Sequence, residues 1–391
     1  MAIQQRLRKK SWDFRKPAKR GSALILTVFS MFVLFCCLAF SIDTGYLAGA
    51  KAEIRRSADA ASLAGCWELY RQMEGGVLPL NAAPAARQVA ADYVLANRVA
   101  NNDMTVDTGA LSEDVRVGYL ESLSSDSMPS QNADLPFLAV HVSLAKTTQR
   151  NGQVPFFFGK IFGNTGQNMA ASSTAVMAQR VNGFALPPNS NDSLQILPFA
   201  LDLDSWLSAK AGLGPDDYHY DAVSGEVESG GDGIKELNIY PKGTGSPGNR
   251  GTVDIGGSNN STADVARQIV NGISQSDLNS LGKPLALGDD GTLELNGDTG
   301  ISAGVKDELA GIIGQTRVLP VFSKVSGNGN NATYTIVKWV GVRILDVQLT
   351  GPLSGKKLVA EPAPIISHYT TVGGGSIGSS DGVFSPVLLT R

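Results

Sequence analysis

From Ser22 to Ile42 the chain reads SALILTVFSMFVLFCCLAFSI, 21 positions without a charge. At about 1.5 Å rise per residue, a helix of that length spans roughly 30 Å, the hydrocarbon thickness of a bilayer. From Asp43 to Gly65 the text becomes DTGYLAGAKAEIRRSADAASLAG, charged, alanine-rich and free of proline. The pattern predicts one helix that continues from the apolar run into water. Along it Leu47, Ala50, Ile54, Ala58, Ala61 and Gly65 recur at steps of three and four, a narrow face of mostly small side chains. Small residues let two helix backbones approach closely, so this face is the candidate for lateral assembly. Arg55, Arg56 and Asp59 fall on the other, solvated side, at spacings that allow ion pairs.

Further on, Pro84–Val99 has a helical period, with Pro84 near its start, where a missing N–H costs little. The period then changes to two. Met104–Asp107, Asp114–Tyr119, Leu138–Leu144, Val154–Phe158 and Ala171–Met177 predict a series of half-buried strands. Residues 182–193 (NGFALPPNSNDS) read as a linker. Beyond them, strands at Ile234–Tyr240, Thr252–Ile255, Val318–Ser323, Thr333–Val347 and Lys357–Glu361 mix with helices at Thr262–Ile273 and Val305–Ile313, an α+β pattern. Gly373–Gly382 is rich in glycine and serine and reads as mobile.

Charge gives the apolar run a direction. Arg6, Arg8, Lys9, Lys10, Arg15, Lys16, Lys19 and Arg20 precede it, against the single acid Asp13. A Lys/Arg excess marks the cytoplasmic flank, which puts the N-terminus inside and the remaining chain outside. The alternatives are a cleaved signal peptide, whose apolar region is shorter at about 7–15 residues, and a buried core helix. A length of 391 residues allows an anchor and two modest domains. The net charge is −3; the first 20 residues carry +7, which leaves −10 on the rest. An outer part so charged does not suit nucleic acid.

Candidate chemistry is sparse. Of three cysteines, Cys36 and Cys37 lie in the apolar run, and Cys66 reads either as a buried thiol or as a bridge between parallel copies. His141, between Val140 and Val142, is expected at a surface or interface. Phe156–Gly163 (FFFGKIFG) reads as a core strand and turn, or else as a patch that touches the bilayer or a partner. Gly288–Gly291 (GDDG), with Asn296, Asp298 and Gly300, offers oxygen ligands at spacings that do not match a calcium loop; hairpin turns explain the same residues. His219, near Asp216 and Asp217, lacks a second His or Cys nearby. No catalytic set, metal site or cofactor pattern is expected.

RRGSALILTV…LAFSIDTGYL…KAEIRRSADAASLAG resembles the N-terminal signature of the bacterial Tad (tight-adherence, Flp pilus-assembly) family of TadE/TadG-like type. The residues that carry the likeness are Arg20 and Gly21 before the span, Ile42, Asp43, Thr44 and Gly45 at its outer end, and the run Asp59, Ala60, Ala61, Ser62, Leu63, Ala64, Gly65. Two features depart from the family. Gly21 is followed by Ser22-Ala23-Leu24-Ile25-Leu26, without the glutamate that prepilin cleavage uses. No D-x-S-x-S metal motif of a von Willebrand-type A domain is present; Asp202-Leu203-Asp204-Ser205 comes nearest.

The resemblance implies a single-pass inner-membrane protein that works without catalysis in building or anchoring a pilus. Its partners would be the lipid bilayer and other pilus-assembly proteins, or a second copy through the N-terminal helix. The expected fold class is α+β: a basic tail (1–21), a transmembrane helix from Ser22 to Ile42, a pilin-like helix-plus-antiparallel-sheet domain (43–180), a linker (181–193), a second α+β domain (194–372) and a flexible tail (373–391). The alternative is an anchored extracytoplasmic ligand-binding protein or hydrolase that uses the second domain, with a pocket near His219 or Asp289–Asp298.

Overall fold

The computed structural model describes residues 20–124, 127–240, 251–256, 261–327, 329–372 and 379–390. The expected basic tail, apart from its last two residues, lies outside them, as does 373–378 of the glycine-rich stretch.

A single helix, α1, runs from Arg20 to Glu74. Its apolar part and its alanine-rich part both favour helix and no proline interrupts them, so the expected continuity is met. By contacts the chain divides into two compact units. One comprises residues up to Ala52 with Ala145–Met169; the other comprises Glu53–Leu144 with Ala170–Arg391.

In the first unit, α1 is accompanied by an excursion of the chain. Val154–Pro155 pairs antiparallel with Gly166–Gln167, and between them lies a 3-10 turn at Gly159–Phe162.

In the second unit, α2 (Ala83–Ala96) takes the helical segment that starts at Pro84, with proline in its first turn. A four-stranded sheet follows, made of β1 (Val115–Leu120), β2 (Phe137–Lys146), β3 (Met169–Ala178) and the short strand Leu388–Leu389, in that order. β1 and β2 are antiparallel, with Val115 opposite Val142 and Leu120 opposite Phe137. Met104–Asp107, expected as a strand, lies outside the strands.

Two expectations about chain organisation fail here. Residues 181–184 form a strand, β4, hydrogen-bonded on both sides to Leu285–Ala286 and Thr370–Val372, so the predicted linker is sheet at its start. Residues 379–390, predicted to be mobile, include three short strands. Leu388–Leu389 completes the first sheet beside β3, Ser380–Asp381 joins the large sheet, and Val383–Phe384 pairs with Ile365–Ile366. Serine hydroxyls reinforce them: the Ala178 N–H donates to Ser385 Oγ at 2.8 Å and the Val181 N–H to Ser380 Oγ at 2.8 Å. Composition alone misses such pairing, because glycine and serine leave the backbone free to bond.

The larger sheet is built on β5 (Phe199–Asp202), β6 (Gly251–Val253), β7 (Leu293–Asp298), β8 (Thr316–Ser326), β9 (Ala332–Gln348) and β10 (Lys357–Pro362). The long β9 pairs with β8 along one edge and with β7 and β10 along the other. β7 pairs with β6, β6 with β5, and β5 runs parallel to β8, which closes a five-strand ring. Closure removes the free strand edges that invite aggregation. Leu201, Trp206, Ile269, Leu319 and Val342 fill one core; Phe184, Val253, Leu295, Tyr334 and Trp339 fill another. The helix expected from Thr262 runs to Asn271 and is capped by the Ser261 hydroxyl, which accepts from the Asp264 N–H.

Candidate functional site

Among the described residues, α1 is the one helix long and apolar enough to cross a membrane. Leu24, Ile25, Phe29, Phe32, Leu34, Phe35, Leu38 and Phe40 are all largely exposed. Leaving one large apolar side chain in water rather than burying it costs roughly 1.5–3 kcal/mol, so this surface calls for apolar surroundings. The hydroxyls in the run are spent internally: Thr27 Oγ1 donates to the Ala23 carbonyl at 2.9 Å and Ser41 Oγ to the Cys37 carbonyl at 2.8 Å.

One residue beyond the run, the buried Asp43 receives the chain excursion. Its carboxylate accepts from the backbone N–H groups of Phe157 at 2.7 Å, Phe158 at 3.2 Å and Gly159 at 2.7 Å. Desolvation works to raise this carboxyl, but the three amide donors outweigh it and hold it below the ordinary carboxylate range. Gly159 is required by close approach, since a Cβ there would stand 2.9 Å from the Phe156 ring. Tyr46, one turn along α1, packs edge-on against the Phe157 ring with centroids 4.9 Å apart. The outward side chains are bare: Phe157 is 58% exposed, Phe158 37%, Ile161 77% and Phe162 73%. The core reading of Phe156–Phe162 is therefore overturned, because Phe157, Phe158, Ile161 and Phe162 are exposed. Gly45 and Gly49 line an open side of α1, where an added Cβ meets nothing within 4 Å.

Residues 59–65 do something different. Ala58, Ala61, Ser62 and Gly65 are buried, with Asp59, Ala60, Leu63 and Ala64 half-buried beside them. A Cβ on Gly65 would lie 3.1 Å from the Ala86 carbonyl oxygen, 3.1 Å from Val140 Cγ1 and 3.4 Å from Ala90 Cβ. Ser62 Oγ bonds Ser173 Oγ on β3 at 3.3 Å. The small-residue face expected to dock a partner is thus buried at Ala61 and, at Gly65, filled by α2 and the sheet of the same chain. Small side chains let another helix backbone close in, and here the nearest one is α2. Cys66 on the same face is buried and free, and burial pushes its thiol up, a placement that fits the buried-thiol reading.

His141 is buried as well, against the surface expectation. Its Nδ1 lies 2.8 Å from Thr174 Oγ1. Burial, and then the nearby Arg116 charge, hold it below the usual imidazole value, so it is neutral at pH 7. Both faces of β2 are covered between Ala139 and Val142, which is why alternation misled there.

The other candidates stay apart. His219 sits on the hairpin Tyr218–Asp221/Glu226–Ser229, with Nε2 3.7 Å from its cross-strand neighbour Glu228. Asp290 closes its own turn, accepting from Thr292 N at 3.0 Å and Thr292 Oγ1 at 2.9 Å. Asp202 caps a helix by accepting from Ser205 N. Among the described residues no group of three or more His, Cys, Asp or Glu is arranged to hold a metal ion. A cavity of about 470 Å³, lined in part by Met73, Trp206, Lys210, Lys235 and Asp381, contains neither His219 nor Asp289–Asp298. One of about 250 Å³ includes Asp298 beside Thr252, Thr262 and Ser302.

Sequence reasoning missed one pair. Arg343 on β9 and Glu361 on β10 are both buried, 3.7 Å apart. Burial, together with the charge of Asp232, pushes Glu361 up to about 7, against the pull of Arg343. The available signal was a charge of each sign within apolar strand text, GVRIL and LVAEP.

Compared with known families, residues 21–87 match Tad, described as "Putative Flp pilus-assembly TadE/G-like". Residues 64–175 match Tad_C, described as "Putative Tad-like Flp pilus-assembly". No curated protein and no solved structure matches the chain.

Proposed function

With residues 21–87 identified as TadE/G-like and residues 64–175 as Tad-like Flp pilus-assembly sequence of the Tad family, we propose that the chain is a single-pass, non-enzymatic component of a Tad/Flp-type pilus-assembly system. Ser22 and Ile42 bound the lipid-embedded stretch. The N-terminus lies in the cytoplasm and the chain beyond the span lies outside the inner membrane. Residues 53–178 set a helix on an antiparallel sheet, which supports a pilin-like comparison. Because Ala61 and Gly65 are engaged within the chain, contacts with other assembly proteins, or with a second copy, fall to the exposed side of α1 at Lys51, Ala52, Arg55 and Arg56.

The observation that carries this reading is the bare apolar run continuing without a break into family-matched helix. Three measurements on cells that carry the full chain test it. The protein should resist extraction by alkaline carbonate, be digested by protease added to intact spheroplasts, and co-purify with pilus-assembly proteins from detergent. Release by carbonate or protection from protease overturns the anchored topology. Clean purification without pilus components overturns the assembly role.

A further inference from the structure

The excursion tied to Asp43 leaves four large apolar side chains 37–77% exposed. We propose that Phe156–Phe162 is a second membrane contact, with Phe157, Phe158, Ile161 and Phe162 seated in the interfacial region of the outer leaflet where α1 leaves the lipid.

The position follows from one residue. Asp43 is the first residue after the apolar run, and its carboxylate holds the Phe157, Phe158 and Gly159 amides at 2.7–3.2 Å. At about 1.5 Å rise per residue, the turn sits within one helical turn of the end of the run. Side chains 37–77% exposed there are level with the bilayer surface.

The backbone chemistry fits the same place. Irregular backbone is tolerated near lipid only where its polar groups are satisfied. Beyond the three amides on Asp43, Phe156 N donates to the Thr165 carbonyl, Ile161 N to Phe158, Gly163 N to Lys160 and Asn164 N to Gly159, all at 3.0–3.2 Å. The turn thus presents apolar side chains outward from an internally bonded backbone. Its one charge, Lys160, belongs to the residue type that reaches out of apolar surroundings to anionic headgroups. Tyr46 against Phe157 adds an aromatic of the kind enriched at membrane–water interfaces.

The inference rests on the anchored reading, and the test separates the two. The full chain, with Cys36 and Cys37 changed to Ala, retains only the buried Cys66, which does not label under native conditions. Single cysteines are placed by Ile161→Cys, by Leu34→Cys in the span and by Val223→Cys, an exposed hairpin position. Each variant is labelled with an environment-sensitive fluorophore and reconstituted in phosphatidylcholine/phosphatidylglycerol vesicles with headgroup-proximal nitroxide lipids. Circular dichroism identical to the parent checks that each variant is folded. The expected result is a blue-shifted, lipid-quenched emission at Ile161 and Leu34, with neither change at Val223. If Leu34 is embedded but Ile161 behaves like Val223, the loop proposal falls and the anchor stands. A blue shift at Ile161 without lipid quenching means a protein covers it, and the proposal falls too. If Leu34 itself is unshifted and unquenched, the anchor falls and takes the loop contact with it.

Discussion

The Cα of Gly65 faces the carbonyl of Ala86 so closely that a methyl group on Gly65 would sit 3.1 Å from that oxygen. This crossing is where α1 meets α2, and it explains a glycine in the middle of a long helix that gains nothing else from one. Overpacking such a site costs about 1–3 kcal/mol, while glycine-to-alanine in a helix gains about 1 kcal/mol. Gly65→Ala should therefore lower stability by about 1 kcal/mol, and Gly65→Leu by more. Gly49→Ala, with open space around it, should raise helix stability by up to about 1 kcal/mol. Thermal melts in detergent give the comparison. Equal responses at the two glycines would contradict the packing described.

Replacing Asp43 by Ala should free the turn it holds. The Phe157, Phe158 and Gly159 amides would exchange with solvent deuterium faster, while amides in β9 stay unchanged. The pH response has a definite sign. The folded value is lowered, so the tether is complete above the ordinary carboxylate range and is lost only as pH falls through the depressed value. Exchange at these amides, corrected for its intrinsic pH dependence, should be flat from pH 5 to 8 and rise only in stronger acid.

Glu361 should act in the opposite direction. Its folded value of about 7 exceeds the ordinary 4.5, so between those values the folded state holds more protons than the unfolded one. Stability should then fall as pH rises through that window, by about 1–3 kcal/mol. Glu361→Gln should flatten the dependence. Urea midpoints from pH 5 to 8, followed by tryptophan fluorescence in detergent, provide the reading; an unchanged slope in the variant would count against a proton on this carboxyl.

Cys66 should resist thiol reagents until the protein unfolds, because its sulfur is buried and its thiolate disfavoured. Non-reducing electrophoresis of native membranes should show no dimer that depends on Cys66, and labelling kinetics should follow the unfolding rate.

Legibility in the sequence tracked how local each determinant is. The uncharged run, the proline-free continuation through Gly65, the helix starting at Thr262 and the strand now seen as Ala332–Gln348 depend on residues close in sequence, and all could be read in advance. What covers a residue depends on distant chain. His141 alternates like a solvent-facing residue, yet its partner is Thr174, 33 positions away. Phe156–Phe162 has the composition of a core strand, but the acceptor for its amides is Asp43, more than a hundred residues earlier. The small-residue face was found correctly and given to the wrong neighbour, because packing of like helices within a chain and between chains leaves the same mark on sequence. Arg343 and Glu361 could be found only by asking where each buried charge has its counterpart.

The strand at Leu388–Leu389 bears on how the protein is made. It seals the flank of β3, and Thr390 reaches Thr174 across 216 residues of chain. Until that segment docks, the edge of β3 stays open for pairing with whatever strand is near. Completion of this small sheet therefore waits on Leu388–Leu389, and a chain in which that strand has not docked keeps an unsealed, aggregation-prone margin on which proteases and chaperones act.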